Sequence, residues 1–313
     1  MIAPVHGPDV VLLPLTLLIA LLASVALPPG AARHSRGAIA LGVGGTIIAG
    51  LFTAEDLAQT LAVATTAFLL AGGLPRSNEA AMASRRTLTW LAIAASALLL
   101  SLALDVLNAR QALPGLAGPI GGLFVVGVAI VVGAFPFGFW LPPLAEESPA
   151  FAAVIAGLLG LGAALLGATM LTASPWRMGS LAAGPLLTAC GIAGAGAAIL
   201  AIGEKQPARV FAYLISADAA LGLGGLVAAP AAPVVFALSA HALAASLGLA
   251  VLAGARPRLV GLWGQQPALA IALLVAAGSL VGFPLTAGFA AHVALSRLAD
   301  TVTLLYPAFA ALV

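Results

Sequence analysis

The chain has 313 residues, of which 62% are hydrophobic and 7% charged, with a mean hydropathy of +1.17. A soluble domain carries about a quarter charged residues, so an ordinary water-soluble enzyme core is excluded. The formal net charge of +2 gives no reason to invoke nucleic acid, and the lone Cys190 permits neither an internal disulfide nor a cysteine-based metal cluster.

Apolar runs of the roughly 20 residues needed to cross a bilayer recur along the whole sequence. They predict an all-α, polytopic transmembrane bundle of about eleven spans, one transmembrane domain over residues 1–313. The first span, 10–28, follows a stretch, Met1–Asp9, with no Lys or Arg, so it reads as a helix rather than a signal peptide. Two more follow at 37–54 and 56–73, with Glu55 and Asp56 where the second begins. Acids there complement the helix dipole, or line a pathway entrance. The remaining spans are expected at 87–107, 114–135, 150–172, 179–202, 208–229, 232–254, 266–288 and 290–312, joined by short turns such as Pro28-Pro29-Gly30. Counting alternate loops puts Arg33, Arg36, Arg76, Arg85, Arg86, Lys205, Arg209, Arg256 and Arg258 on one side, and Arg110, Arg177 and Arg297 on the other. The positive-inside rule then makes the richer side cytoplasmic and sets the N-terminus outside.

Glycine and alanine dominate the helices, and small residues drive close helix packing where lipid supplies no hydrophobic force. Gly118 and Gly122, Gly157 and Gly160, and Gly191 and Gly194 are candidate seams. Two segments read as broken helices: Phe135-Pro136-Phe137-Gly138-Phe139-Trp140-Leu141-Pro142-Pro143, and Gly282-Phe283-Pro284-Leu285-Thr286-Ala287-Gly288-Phe289. Proline removes a backbone donor, and interrupted helices in two halves of a chain point to an ion or substrate path. For the first segment a loop turn fits as well, because Glu146 and Glu147 follow it closely.

These segments carry a resemblance. Ala134–Pro142 resembles a PFHxWLPDA stretch, and Glu147-Ser148-Pro149 the APTPVSA segment that follows it. Arg209–Tyr213 resembles KRLLAYSS. Ser239-Ala240-His241-Ala242-Leu243, continuing to Gly254, resembles THALFKALLFLLAG, and Ser279–Phe289 resembles SLxGxPPTAGF. In this order, over about residues 37–292, the segments are similar to the antiporter-like family. Its members are the large proton-pumping chains of complex I (NADH-quinone oxidoreductase), Mrp antiporters and membrane hydrogenases, and the overall pattern is closest to the N-type chain.

The resemblance implies a membrane-arm subunit of a proton- or cation-translocating redox complex in a prokaryotic inner or plasma membrane. Its partners would be lipid and other membrane subunits. The family's buried ionisable residues are largely replaced. Its glutamate falls on Thr65, and its lysines fall on Val131, Ala245 and His292. A further Lys or His falls on Ile155, and the only Lys present is Lys205. Autonomous conduction is therefore expected to be weakened or lost.

The remaining pathway candidates are His241, Asp218 and His292, with Glu55 and Asp56. Intramembrane ionisable groups are functional by default. Asp218 reads either as a buried carboxyl bonded to Ser216 or a neighbouring helix, or as an ion or partner contact. His241 reads as a residual relay or an interhelical hydrogen bond, and His292 as a substitute titrating group. The broken-helix residues that shape the path are Pro136, Trp140, Pro142, Pro284 and Gly288. No spacing suggests a metal site, a nucleotide loop, haem, flavin or an iron–sulfur centre, so quinone or redox centres would belong to partner subunits. The alternatives are an independent secondary transporter of a small ion or solute, and a purely structural membrane subunit.

Overall fold

A computed structural model describes Val63 and residues 81–109, 117–172, 180–228, 231–254 and 261–299. The expected spans before residue 80, with Glu55, Asp56 and Thr65, lie outside these residues, as do most of the basic loop positions.

Every regular element among the described residues is helical. In chain order they are α1 (Ala81–Ala109), α2 (Ala117–Val131), α3 (Leu141–Glu147), α4 (Pro149–Thr172) and α5 (Ser180–Gly203). There follow α6 (Pro207–Ala228), α7 (Ala231–Gly254), α8 (Leu262–Gln265), α9 (Pro267–Val281) and α10 (Ala287–Ala299). Stretches 82–108, 185–203 and 233–254 are long and apolar enough to cross a membrane, and 118–131, 149–164 and 267–281 are shorter apolar helices.

One expected span needs correction. The run 266–288 is not continuous, because the helix ends at Val281 and a new one starts at Ala287. At 1.5 Å per residue, the 15 residues of α9 reach about 22 Å, short of the roughly 30 Å hydrocarbon core. Both α2 and α9 stop at the segments singled out as breaks.

Helix α7 is the hub, packed most extensively on α4 and also touching α9, α6 and α10. Lipid is as apolar as leucine, so close contact between helices, not escape from water, holds such a bundle together. A Cβ at Gly160 would press on Ala242, one at Gly222 on Leu238 and one at Gly248 into the Phe211 ring. Of the candidate seams, Gly118, Gly122 and Gly191 instead face open space. Glycine content alone does not say which face of a helix turns inward.

The first break is folded into the bundle and is not a solvent loop. Trp140 is 1% exposed, and its indole Nε1 donates to the Ile130 carbonyl at 2.9 Å, near the end of α2. The Gly138 amide donates to the Ala134 carbonyl at 2.6 Å, and a Cβ on Gly138 would collide with the Gly133 carbonyl. Phe135 lies against Gly196 of α5. Pro142 is buried in the first turn of α3, where its missing N–H costs nothing, while Pro136 is exposed. Phe139 is exposed within the segment, and Glu146 and Glu147 are exposed just after it.

The second break closes α9 with a Schellman turn: Phe283 N–H reaches the Gly278 carbonyl at 2.7 Å and Gly282 N–H the Ser279 carbonyl at 3.2 Å. Thr286 then caps α10. Its Oγ1 accepts from the Phe289 amide at 3.2 Å and donates to the Phe283 carbonyl at 2.7 Å. Ser279 Oγ accepts from the Gly288 amide at 2.9 Å, tying α9 to α10. Non-helical backbone inside a membrane persists only when its polar groups are satisfied in this way.

Candidate functional site: a carboxylate between two imidazoles

Asp218 stands at the middle of α6, a helix otherwise lined by apolar and small residues. Its carboxyl makes two bonds. One oxygen, Oδ2, meets His241 Nδ1 of α7 at 2.7 Å, and the other, Oδ1, meets His292 Nε2 of α10 at 2.6 Å. Three residues separated widely in sequence thus form one cluster linking α6, α7 and α10. Asp218 and His241 are buried, and His292 is half-buried. An isolated charge in such a place costs several kcal/mol, roughly, so the pairing is what makes the acid tolerable.

An ionised carboxylate only accepts hydrogen bonds, so with Asp218 ionised both facing nitrogens carry the protons. Each imidazole then keeps its second nitrogen for another exchange: Nε2 on His241, Nδ1 on His292. A proton taken up at one outer nitrogen can push that ring's inner proton onto the carboxylate, leaving a neutral carboxyl between two neutral rings. Release at the other outer nitrogen then requires that ring to turn over, because its inner nitrogen already carries a proton. The arrangement can do this chemistry with side chains alone. Among the described residues, no group of three or more His, Cys, Asp or Glu side chains could hold a metal ion.

The candidates fare unequally. His241, Asp218 and His292 come together. Ser216, expected as a partner of Asp218, donates to the Ala212 carbonyl of its own helix at 3.1 Å instead. A hydroxyl at that position reaches its own preceding turn more easily than a side chain two residues on. Val131, Ile155 and Ala245, where the family's charged residues would stand, are at 1% exposure or less inside the main apolar cluster. Gly288 is buried and Pro284 exposed in the second break. Within the second segment and motif named from the sequence, Ser279, Gly282 and Thr286 supply the turn and cap contacts that build the break.

At one end of the bundle, the start of α1, the end of α3 and the α5–α6 turn gather charges. Arg209 pairs with Glu204 at 3.0 Å and with Glu146 at 3.6 Å. Partial burial and the neighbouring Glu146 raise the Glu147 carboxyl above its ordinary value, and Arg86 opposes the shift. Arg86 and Arg209 thus lie near the neighbouring Glu147 and Glu146.

A bundle of apolar helices with two interrupted members and a buried carboxylate between two imidazoles defines a polytopic helical membrane protein. No family model matches the chain. It is 30% identical over 294 residues to NADH-quinone oxidoreductase subunit N of Rhodopseudomonas palustris, covering 86% of this chain and 62% of that protein. It is 29% identical over 285 residues to the subunit N of Cereibacter sphaeroides, covering 84% and 62%. A hydrogenase-4 component F homolog of Methylacidiphilum infernorum is 38% identical over 122 residues, 35% of this chain and 25% of that one. The fold matches the Mrp complex from Dietzia sp. with a TM-score of 0.75 over 98% of this chain and 63% of that chain, at 18% identity. The chain spans 62% of the length of the two subunit N relatives. Its relatives and its fold are those of the antiporter-like proteins of complex I, Mrp antiporters and membrane hydrogenases.

Proposed function

We propose that the chain is a membrane-arm subunit of a proton- or cation-translocating redox assembly, whose own conduction is reduced to a short path through His241, Asp218 and His292. The observation that carries this reading is the double bonding of Asp218, at 2.7 Å to His241 and 2.6 Å to His292. The apolar filling at Val131, Ile155 and Ala245 supports the reduction, since a relay needs titrating members within hydrogen-bond reach. The names of its relatives support a place among other membrane subunits, with quinone or redox centres carried by those partners. The arginine-rich end faces the cytoplasm in this reading.

The test is purification from native membranes in mild detergent, with identification of the proteins retained, followed by proton flux in proteoliposomes. Stoichiometric recovery with redox or antiporter-like subunits, and flux greater in that assembly than with the chain alone, is the expected result. Recovery as a stable monomer with full autonomous flux overturns it and favours an independent transporter.

A further inference from the structure

The second break does more than interrupt a helix. A Cβ built on Gly282 would run into the imidazole of His292, and its three nearest atoms would all belong to that ring: Nδ1, Cε1 and Cγ. The ring that reaches Asp218 with Nε2 thus lies with its other nitrogen against the bare Cα of Gly282. That glycine also has φ +72°, a conformation L side chains rarely adopt. Chain direction and ring position therefore meet at one residue.

We propose that Gly282 is the positioning residue of the relay: its missing side chain is the seat that holds His292 with Nε2 on Asp218 and Nδ1 turned to the break. This rests on the reading of the cluster as a proton path. The Schellman turn fixes Gly282 at the end of α9, and the bond from Gly288 N–H to Ser279 Oγ fixes α10 beside it. His292, five residues into α10, is set at the height of Asp218 by these contacts. The outer nitrogen of the relay then opens toward the break, which makes the break the mouth of the path on that side.

The experiment compares Gly282→Ala, His292→Ala and the double variant in the full chain with its co-purifying subunits, measuring proton flux in proteoliposomes. Gly282→Ala is expected to cut flux to the level of His292→Ala, with no further loss in the double variant, since coupled positions are non-additive. Gly133→Ala serves as the strain control. It carries a similar φ of +75° in the first break, where its Cβ would meet Leu141 and Trp140 and no relay residue. It should keep the flux. Additive losses, wild-type flux in Gly282→Ala, or equal loss in Gly133→Ala overturn the proposal.

A second measurement separates it from the functional reading. The chain has four histidines, so ¹⁵N-histidine NMR can follow each ring. Loss of the carboxylate-bonded His292 Nε2 signal in Gly282→Ala, with that of His241 Nδ1 kept, is expected even if no variant changes flux. In that case the proton path fails and the seat stands. Retention of both signals removes the seat.

Discussion

The two broken helices share a plan and differ in what they enclose. In each, a helix ends and the chain turns through several residues before a new helix begins. The first break spends its polar groups on itself. The Trp140 indole bonds the Ile130 carbonyl, Gly138 closes on the Gly133 peptide, and the shell around Val131 and Ile155 is dry. In the second break Ser279 and Thr286 tie the end of α9 to the start of α10, and α10 carries His292 onto the Asp218 carboxyl. Among the described residues, only the second break thus has a titrating side chain seated against it.

The sharpest way to break the comparison is to remove the anion from the second region. Asp218→Asn keeps the shape of the side chain but can neither hold a charge nor pass a proton between the rings. Proton flux through the chain should fall to background. Taking one partner from a buried pair also costs about 3–5 kcal/mol, so thermal unfolding in detergent should come markedly earlier. Flux equal to wild type in a well-folded Asp218→Asn protein would show that the cluster is only structural glue.

The reverse substitution tests the first region. Val131→Lys places a lysine where the family carries one. Here, though, the site is 1% exposed and surrounded by apolar side chains. A lysine at a helix centre in a membrane costs about 2.5–3.5 kcal/mol; at the buried end of α2 the cost is at most of that order, so lower yield and earlier unfolding are expected, without a gain in flux. A gain would mean that the dry region is one residue short of a path.

Trp140→Phe should weigh less and act on stability alone. It removes the hydrogen bond to Ile130, worth roughly 1 kcal/mol, and leaves some empty volume, so a loss of about 2 kcal/mol is expected. The Ile130 carbonyl keeps the Gly133 amide at 3.1 Å, so no acceptor is stranded. Flux per folded molecule should be unchanged, which distinguishes this break from the other.

Hydropathy made the helices legible, because a bilayer demands long apolar runs whatever their partners. Proline and glycine marked both breaks, and the ionisable residues Asp218, His241 and His292 stood out because they are costly in lipid. Their meeting was not legible. Asp218 and His292 are far apart in the chain, and nothing local encodes how α6, α7 and α10 face one another. A face can be read from periodicity only when one side is polar, and these helices are apolar all round, which is why Gly118 and Gly191 could not be told from Gly160. Ser216 misled for a related reason. Nearness in sequence suggested a partner for Asp218, but two residues along a helix point to different faces.

The smallest expected effect lies at the charged end, just after the first break. Glu146→Gln removes the 3.6 Å contact with Arg209, whose side chain is 34% exposed and retains Glu204 at 3.0 Å. An exposed pair of this kind is worth about 0.2–1 kcal/mol and is screened by salt. The same change relieves Glu147, whose carboxyl is raised in part by the Glu146 charge. A carboxyl whose folded value is raised favours folding when protonated, so it costs stability as pH rises through its range. Removing the neighbouring charge lowers that value and reduces the cost. The two consequences oppose each other at neutral pH, and thermal unfolding of Glu146→Gln should stay close to wild type. As pH falls, the raised Glu147 carboxyl takes up its proton and the repulsion from Glu146 fades. The difference between the proteins should therefore shrink in acid, and also in high salt. A large shift that persists in high salt would mean that Glu146 fixes α3, and with it the first break, more firmly than an exposed ion pair can.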